Sequence, residues 1–282
     1  GQLGIELRRE FDSAGWQVSA WDRKDVDITD SSAVESAIGS LAPDVVVNSA
    51  AYNMVDVAET EPQAAFLVNG LAVRNIAVAC RQADALLVHF STDYVFDGTA
   101  NRPYTESDAP HPLGAYAVSK LAGEYYARAY LDRVLIVRTS GVFGPGGLST
   151  ARGNFIELML RLARENRIIR VVEDHVASPT YAPALANRTV AMVERGLTGI
   201  VHCGGGRPLS WHEYASMIFK EAGLNPKLHA TNEVEFRTAA RRPRYSALSN
   251  AYIESLGIPP MPPLETAIRS YLQLRERFQS AG

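Results

Sequence analysis

Two short segments carry residue types that can move a proton. The first is Ser91-Thr92-Asp93-Tyr94-Val95-Phe96, and the second is Tyr116-Ala117-Val118-Ser119-Lys120. On a helix, Tyr116 and Lys120 stand four residues apart and project from one face. A fixed ammonium beside a phenol favours the phenolate and lowers its pKa. Such a phenol can give or take a proton near neutral pH. Thr92 adds a hydroxyl that could hold a carbonyl oxygen. Tyr-x-x-x-Lys alone also arises by chance on solvated helix faces, so its weight depends on the elements around it.

Those elements begin at residue 1. Gly1-Gln2-Leu3-Gly4, followed by Ile5 and Leu7, reads as the last two glycines of G-x-x-G-x-x-G opening a helix to about Phe11. The first glycine and an apolar strand are expected to precede residue 1. Such glycines let a pyrophosphate approach backbone N–H groups at a helix N-terminus. Trp16 to Trp21 is predicted as the next strand, ending at Asp22-Arg23 beside an adenosine ribose. Asp22 suits ribose hydroxyls and NAD(H); Arg23 suits a 2′-phosphate and NADP(H), and the balance tilts to NADPH. Asp27-Ile28-Thr29-Asp30 precedes a helix capped by Asp30 or Ser31, and Asp27 and Ile28 are counted with the cofactor positions.

Asp44 to Asn48 is a short apolar run of the kind buried in parallel sheets. It ends in Ser49-Ala50-Ala51-Tyr52, where small residues let a flat cofactor pass. A helix is predicted from about Pro62 to Ala83, with Asn69 interrupting its apolar face and needing a partner. Leu86 to Phe90 then delivers Ser91, Thr92 and Asp93 at a strand's carboxyl end, where open α/β sheets bind ligands. Val134 to Arg138 is a further strand, followed by Thr139-Ser140-Gly141-Val142-Phe143-Gly144. Strands alternating with helices give an α/β fold with a doubly wound parallel sheet.

The second half differs. Helices are predicted from Asn154 to about Glu165, from about Ala182 to Arg195, from about Ser210 and from about Leu264. Ile168 to Asp174 and Ile200 to Cys203 read as strands, the latter returning to the main sheet. Prolines 259, 260, 262 and 263 make a non-helical connector. The expected division is residues 1–145 plus about 182–206 for the dinucleotide, and about 146–181 plus 207–282 as a smaller discontinuous substrate domain.

Composition narrows the class. The chain has 282 residues, 46% of them hydrophobic and 21% charged, with formal net charge −3. Those values suit a globular enzyme and supply no global field for nucleic acid or anionic lipid. No apolar run is expected to approach the roughly 20 residues of a membrane span. Cys80 and Cys203, the only cysteines, are expected to be reduced core residues in a reducing cytoplasm. His89 and His175 read as structural. His202 and Cys203 fall on opposite sides of a strand, a poor metal site.

Gly1-x-x-Gly4, Asn48-Ser-Ala-Ala-Tyr, Ser-Thr-Asp-Tyr-Val-Phe-Asp-Gly at 91–98 and Tyr116-x-x-x-Lys120 together resemble extended short-chain dehydrogenase/reductases. Ser178-Pro-Thr and Arg242-Pro-x-x-Ser246-x-Leu248 narrow the resemblance to the dTDP-4-dehydrorhamnose reductase family, over nearly the whole chain. The resemblance implies that Tyr116 protonates the oxygen at carbon 4 of a keto sugar as hydride arrives. Lys120 lowers the tyrosine pKa and binds the nicotinamide ribose, Thr92 orients the carbonyl, and Asp93 supports the proton relay or a sugar hydroxyl. Gly1, Gln2, Leu3, Gly4, Ala50, Ala51, Tyr52 and Ser91 line the cofactor. Val55 and Asn69 lie near nicotinamide and sugar, Gly141 lies at the sugar, and Arg242 suits the diphosphate. A homodimer is implied for some members through carboxylates and a divalent cation such as Mg2+. Surface acids such as Glu6 could serve there, although no residue pattern marks such a site.

Two positions separate neighbouring readings. Related 4,6-dehydratases carry Thr-Asp-Glu, whereas Tyr94 stands third here, which favours carbonyl reduction over dehydration. Members of the family commonly have tryptophan after Arg-Thr-Ser, whereas this chain has Gly141, so an apolar platform must come from elsewhere, for example Phe143 or Trp211. Another dTDP-4-ketosugar reductase of specialised deoxysugar synthesis is therefore an alternative. A non-catalytic regulatory subunit resembling the methionine adenosyltransferase beta subunit is a second.

Overall fold

The computed structural model describes residues 1–149 and 153–280. Four parallel strands form the main sheet in the order β1 (Val45–Asn48), β2 (Leu86–Thr92), β3 (Val134–Thr139), β6 (Gly199–His202). Every residue of β2 and β3 is buried. Leu86, Val88 and Phe90 join Leu135 and Val137 in one core, against Leu7 and Phe11 of the helix Gln2–Ser13 and Leu185 and Val190 of the helix Ala182–Glu194. Leu87 and Ile136 face the other way, toward Val34, Ile38, Val73, Ile76 and Ala127. Alternate side chains of a strand point to opposite faces, so burial on both faces demands the unbroken apolar runs seen in the sequence.

A second core is built from the helices Phe155–Arg164, Trp211–Glu221 and Leu264–Ser280. Its strands β4 (Ile169–Val172) and β8 (Leu228–Thr231) pair in parallel, and β5 (Val176–Ala177) and β7 (Leu209–Ser210) pair antiparallel. Ser210 and Glu213 form a reciprocal capping box at the Trp211 helix, satisfying two backbone donors that a helix start leaves over. Isolated bridges join Tyr104 to Leu248, Phe143 to Tyr181 and Val176 to Tyr245, stitching the later segments onto the sheet's carboxyl edge.

Three expectations need correction. Residues 16–21 form no strand. The sheet ends at β1, no described strand lies beside 16–21, and a strand is defined by the ladder its backbone makes. Trp16 instead packs edge-on against Phe11, with ring centroids 5.6 Å apart. Second, the helical stretch Pro62–Gln82 has 21 residues and hydropathy 1.3, enough by length and composition to cross a membrane. Half of it is buried in the fold, as in a core helix. Third, Glu6 is no surface acid. It is 1% exposed, pairs with Arg9 at 2.6 Å and accepts the Gly146 N–H. Cys80 and Cys203 are free and buried, and burial pushes both thiols up to about 12.

Candidate active site

A cleft of about 3120 Å³ crosses the carboxyl ends of the strands and continues down the open side of β1, past Val45, Val46 and Val47. Every site residue expected from the sequence borders it except Asn69. The side chain of Asn69 is 1% exposed and works from behind. Its Oδ1 accepts the Tyr52 N–H at 2.9 Å, and its Nδ2 donates to Tyr52 O at 2.9 Å and to Ser119 Oγ at 3.0 Å. The amide thus clamps the loop carrying Ala50, Ala51 and Tyr52. A π-helical turn, Leu67–Leu71, interrupts the surrounding α-helix at this residue, as such turns often do at functional sites.

The cofactor end is shaped by the first helix. Gly1 is its N-cap with no side-chain cap, and its first turn has no acidic residue. The N–H groups there suit an anion. A Cβ on Gly4 would stand 3.0 Å from Ser49 Oγ, so glycine lets the helix approach the loop after β1. Gln2 is tied to the far wall by Nε2 donating to Val142 O at 2.8 Å. These features fit a dinucleotide pyrophosphate. At the outer end, Asp22 Oδ1 accepts the Lys24 N–H at 2.7 Å. Arg23 is highly exposed, with Asp27 Oδ2 3.7 Å away. Asp27 also accepts the Thr29 N–H and hydroxyl, and Ile28 O accepts from Asn75 Nδ2.

The reacting end lies between β2 and the helix Ala115–Tyr130. Tyr116 and Lys120 are one turn apart on that helix and both border the cleft. The Tyr116 ring meets Tyr94 edge-on at 6.2 Å. Lys120 is 3% exposed, and its Nζ donates to Phe90 O at 2.6 Å. Burial lowers its pKa to about 8, and the Glu124 charge acts in the opposite direction. The sequence reading missed Glu124, although the spacing Tyr116, Lys120, Glu124 places all three along one helix stripe. Arg138 grips Glu124 through Nε at 2.9 Å and Nη2 at 2.7 Å, and Ser91 Oγ donates to Glu124 Oε1 at 2.5 Å. Ser91 therefore both borders the cleft and anchors this buried pair. His89 Nδ1 accepts from Asn48 Nδ2 at 3.2 Å, and burial, then the Lys120 charge, hold its pKa well below the usual value.

Asp93 is 3% exposed and surrounded by hydroxyls. Thr92 Oγ1 lies 3.2 Å from Oδ1, while Ser140 Oγ and Ser246 Oγ lie 2.8 and 2.5 Å from Oδ2. Burial raises its pKa to about 6 against the lowering effect of these donors. The sequence carries no signal for Ser140 or Ser246, because spacing announces no contact across 47 or 153 residues.

Arg242 borders the cleft, but both Nη atoms engage Asp56, at 3.0 and 2.8 Å. A diphosphate would compete with Asp56 for this guanidinium. Val55 lies next to that pair on the cleft wall. Gly141 has φ +51°, and a Cβ there would lie 3.5 Å from Trp211 Cη2. Trp211 thus occupies the space facing position 141, whereas Phe143 is 1% exposed within the second core. Among the described residues, Asp174, His175 and Glu233 could offer a cation three atoms within 4.8 Å of one another. Arg244 already engages Glu233, so the group reads as an ion-pair network.

The model of the RmlD substrate binding domain matches residues 1–276. The spore coat polysaccharide biosynthesis protein SpsK of Bacillus subtilis (strain 168) is 40% identical over 275 residues, covering 98% of this chain and 95% of that protein. A dTDP-4-dehydrorhamnose reductase of Streptomyces griseus is 38% identical over 268 residues, covering 93% and 86%. The crystal structure of dTDP-4-dehydrorhamnose reductase from Bacillus anthracis str. Ames in complex with NADP superposes with TM-score 0.91 at 34% identity, covering 96% and 95%.

Proposed function

The chain belongs to the RmlD family of dTDP-4-dehydrorhamnose reductases, and from that premise we propose that it reduces the 4-keto group of a dTDP-4-keto-6-deoxy sugar with NADPH. The rhamnose precursor, dTDP-4-dehydro-L-rhamnose, is the substrate this reading names. The observation that carries it is the convergence of Thr92, Tyr116 and Lys120 on one cleft beside a glycine-opened helix N-terminus. A relative with NADP bound supports the choice of cofactor. Residues 1–145 with 182–206 would hold the dinucleotide, and residues 146–181 with 207–282 the sugar nucleotide.

When bound, the nicotinamide supplies a hydride to carbon 4. The remaining work falls to side chains. Tyr116 donates a proton to the ketone oxygen as the carbon is reduced, so ketone, hydride and proton yield the alcohol. Charged Lys120 makes the departing phenolate less costly and holds the ribose. Thr92 fixes the carbonyl oxygen for this transfer, and positioning of this kind contributes much of an enzyme's rate.

A second substrate is favoured by one observation. Trp211 and Pro179, rather than a side chain at position 141, border the space beside Gly141. A differently placed ring would suit a differently shaped deoxysugar, and a specialised dTDP-4-ketosugar is that alternative. The test follows NADPH absorbance with dTDP-4-dehydro-L-rhamnose made in place by the upstream enzymes. Oxidation with dTDP-L-rhamnose as product supports the first reading. Turnover only of other dTDP-4-keto sugars supports the second. Cofactor binding without any ketosugar turnover overturns both and leaves the regulatory-subunit reading.

A further inference from the structure

Ser246 sits outside the cleft wall, in the segment that begins at Arg242. Its N–H donates to Val176 O at 2.8 Å, and its hydroxyl reaches Oδ2 of Asp93 at 2.5 Å. Ser140, just beyond β3, donates to the same oxygen at 2.8 Å. The other oxygen, Oδ1, faces Thr92 Oγ1, which also accepts the Tyr94 N–H at 3.2 Å. Three hydroxyls from three distant parts of the chain therefore share one carboxyl, and all four side chains are buried.

Counting protons shows what this does. An ionised carboxylate only accepts. All three hydroxyls then point at Asp93, and Thr92 offers the cleft only lone pairs. Two serine donors fill Oδ2, so a proton taken up by Asp93 belongs on Oδ1. From there it donates to Thr92 Oγ1, and the Thr92 hydrogen turns outward, where a ketone oxygen can accept it. A substrate seated against Thr92 excludes solvent that would otherwise screen the buried charge, which favours this protonated form.

We propose that Ser246 is a positioning residue for the reduction: together with Ser140 it occupies Oδ2 of Asp93, confines the carboxyl proton to Oδ1, and so sets Thr92 as a hydrogen-bond donor to the substrate carbonyl. The inference rests on the ketone reduction proposed above. It adds a residue that acts through Asp93 rather than on the reacting atoms.

The test compares steady-state kinetics and melting of Ser246→Ala and Ser246→Thr with the unaltered enzyme. In Ser246→Ala, kcat should fall about 3- to 10-fold, the worth of one hydrogen bond to an uncharged carboxyl. KM for ketosugar and for NADPH should stay within about twofold, because ground-state binding is untouched. Ser246→Thr, which keeps the hydroxyl, should recover most of kcat. A merely structural contact would lower Tm and leave kcat per folded molecule unchanged, and that result overturns the inference. Should Ser246→Ala fail to fold, Ser140→Ala probes the same oxygen and must lower kcat in the same way. An unaltered enzyme that reduces no dTDP-ketosugar overturns the proposed function and this inference together. An active one beside a Ser246→Ala variant of unchanged kcat overturns the inference alone.

Discussion

Gly123 lies against the backbone of Asn69: a methyl group added to Gly123 would stand 2.2 Å from the Asn69 carbonyl oxygen. The contact joins the helix that carries Tyr116 and Lys120 to the π-helical turn that clamps the Tyr52 loop. Gly123→Ala must push these apart, and overpacking of this sort costs about 1–3 kcal/mol. We expect Tm to drop by roughly 2–10 °C and NADPH affinity to weaken. Thermal melts with and without cofactor measure both, and an unshifted melt would show that the two helices are free to adjust.

Tyr116→Phe removes the proposed acid. Turnover should fall by about 10²- to 10⁴-fold, while NADPH titration by fluorescence should give nearly the original affinity. Full activity in this variant would remove Tyr116 from the chemistry.

Lys120 gives a pH signature. Its pKa in the folded protein is about 8, against an ordinary value of 10.5, because burial penalises the ammonium. Below about 8 it is charged in both folded and unfolded chains. Between about 8 and 10.5 the unfolded chain holds more protons, so this group makes stability rise with pH there. Activity should move the opposite way, declining above about pH 8 as the charge beside Tyr116 is lost. In Lys120→Arg the guanidinium stays charged throughout. A pH profile of kcat/KM for this variant should lack that decline, whatever its height.

Asp93 behaves in the reverse sense. Its folded pKa, about 6, lies above the ordinary 3.8 because of burial. The folded state therefore binds the extra proton between about pH 4 and 6, and stability from this group is lost as pH rises through that window. Asp93→Asn should accordingly stabilise the protein at pH 7 by roughly 1–3 kcal/mol, an advantage that fades toward pH 4. Its amide can accept from the serines and donate to Thr92, so turnover should stay within about tenfold, whereas Asp93→Ala should lose about 100-fold or more. Melts across pH and parallel kinetics decide it; equal losses in both variants would contradict the hydroxyl arrangement.

Trp211 faces the space beside Gly141. Trp211→Ala should raise KM for the sugar nucleotide about tenfold, as expected for loss of an aromatic contact, and leave KM for NADPH unchanged. Equal KM for the sugar would place the platform elsewhere.

Much of this site was legible because parallel sheets impose a pattern. Leu86 to Val88 and Val134 to Val137 had to be apolar on both faces, and the chain's ligand residues had to follow them. Asn69 was conspicuous as an amide on an apolar helix face, and its partners proved to be the Tyr52 backbone and the Ser119 hydroxyl. Residues 16–21 carry the composition of a strand, yet composition cannot supply a neighbour to pair with. The pairs Asp56–Arg242 and Asp93–Ser246 join positions far apart in the chain. Such contacts are set by how the later segments pass over the sheet, which no local period or cap encodes. Glu124 lay nearer to reach, because its helical spacing from Lys120 was in plain view.

The stitching of the later segments to the sheet also has a consequence in time. Tyr104 exchanges backbone hydrogen bonds with Ala247 and Ser249, and Val176 with Arg244 and Ser246. During synthesis all four strands of the main sheet emerge before residues 244–249 do. A nascent chain can thus assemble its sheet while Asp93 still lacks one of its hydroxyls. The carboxyl gains its full surroundings only once Ser246 has emerged, and a chain halted before Tyr245 would leave Asp93 short of that donor.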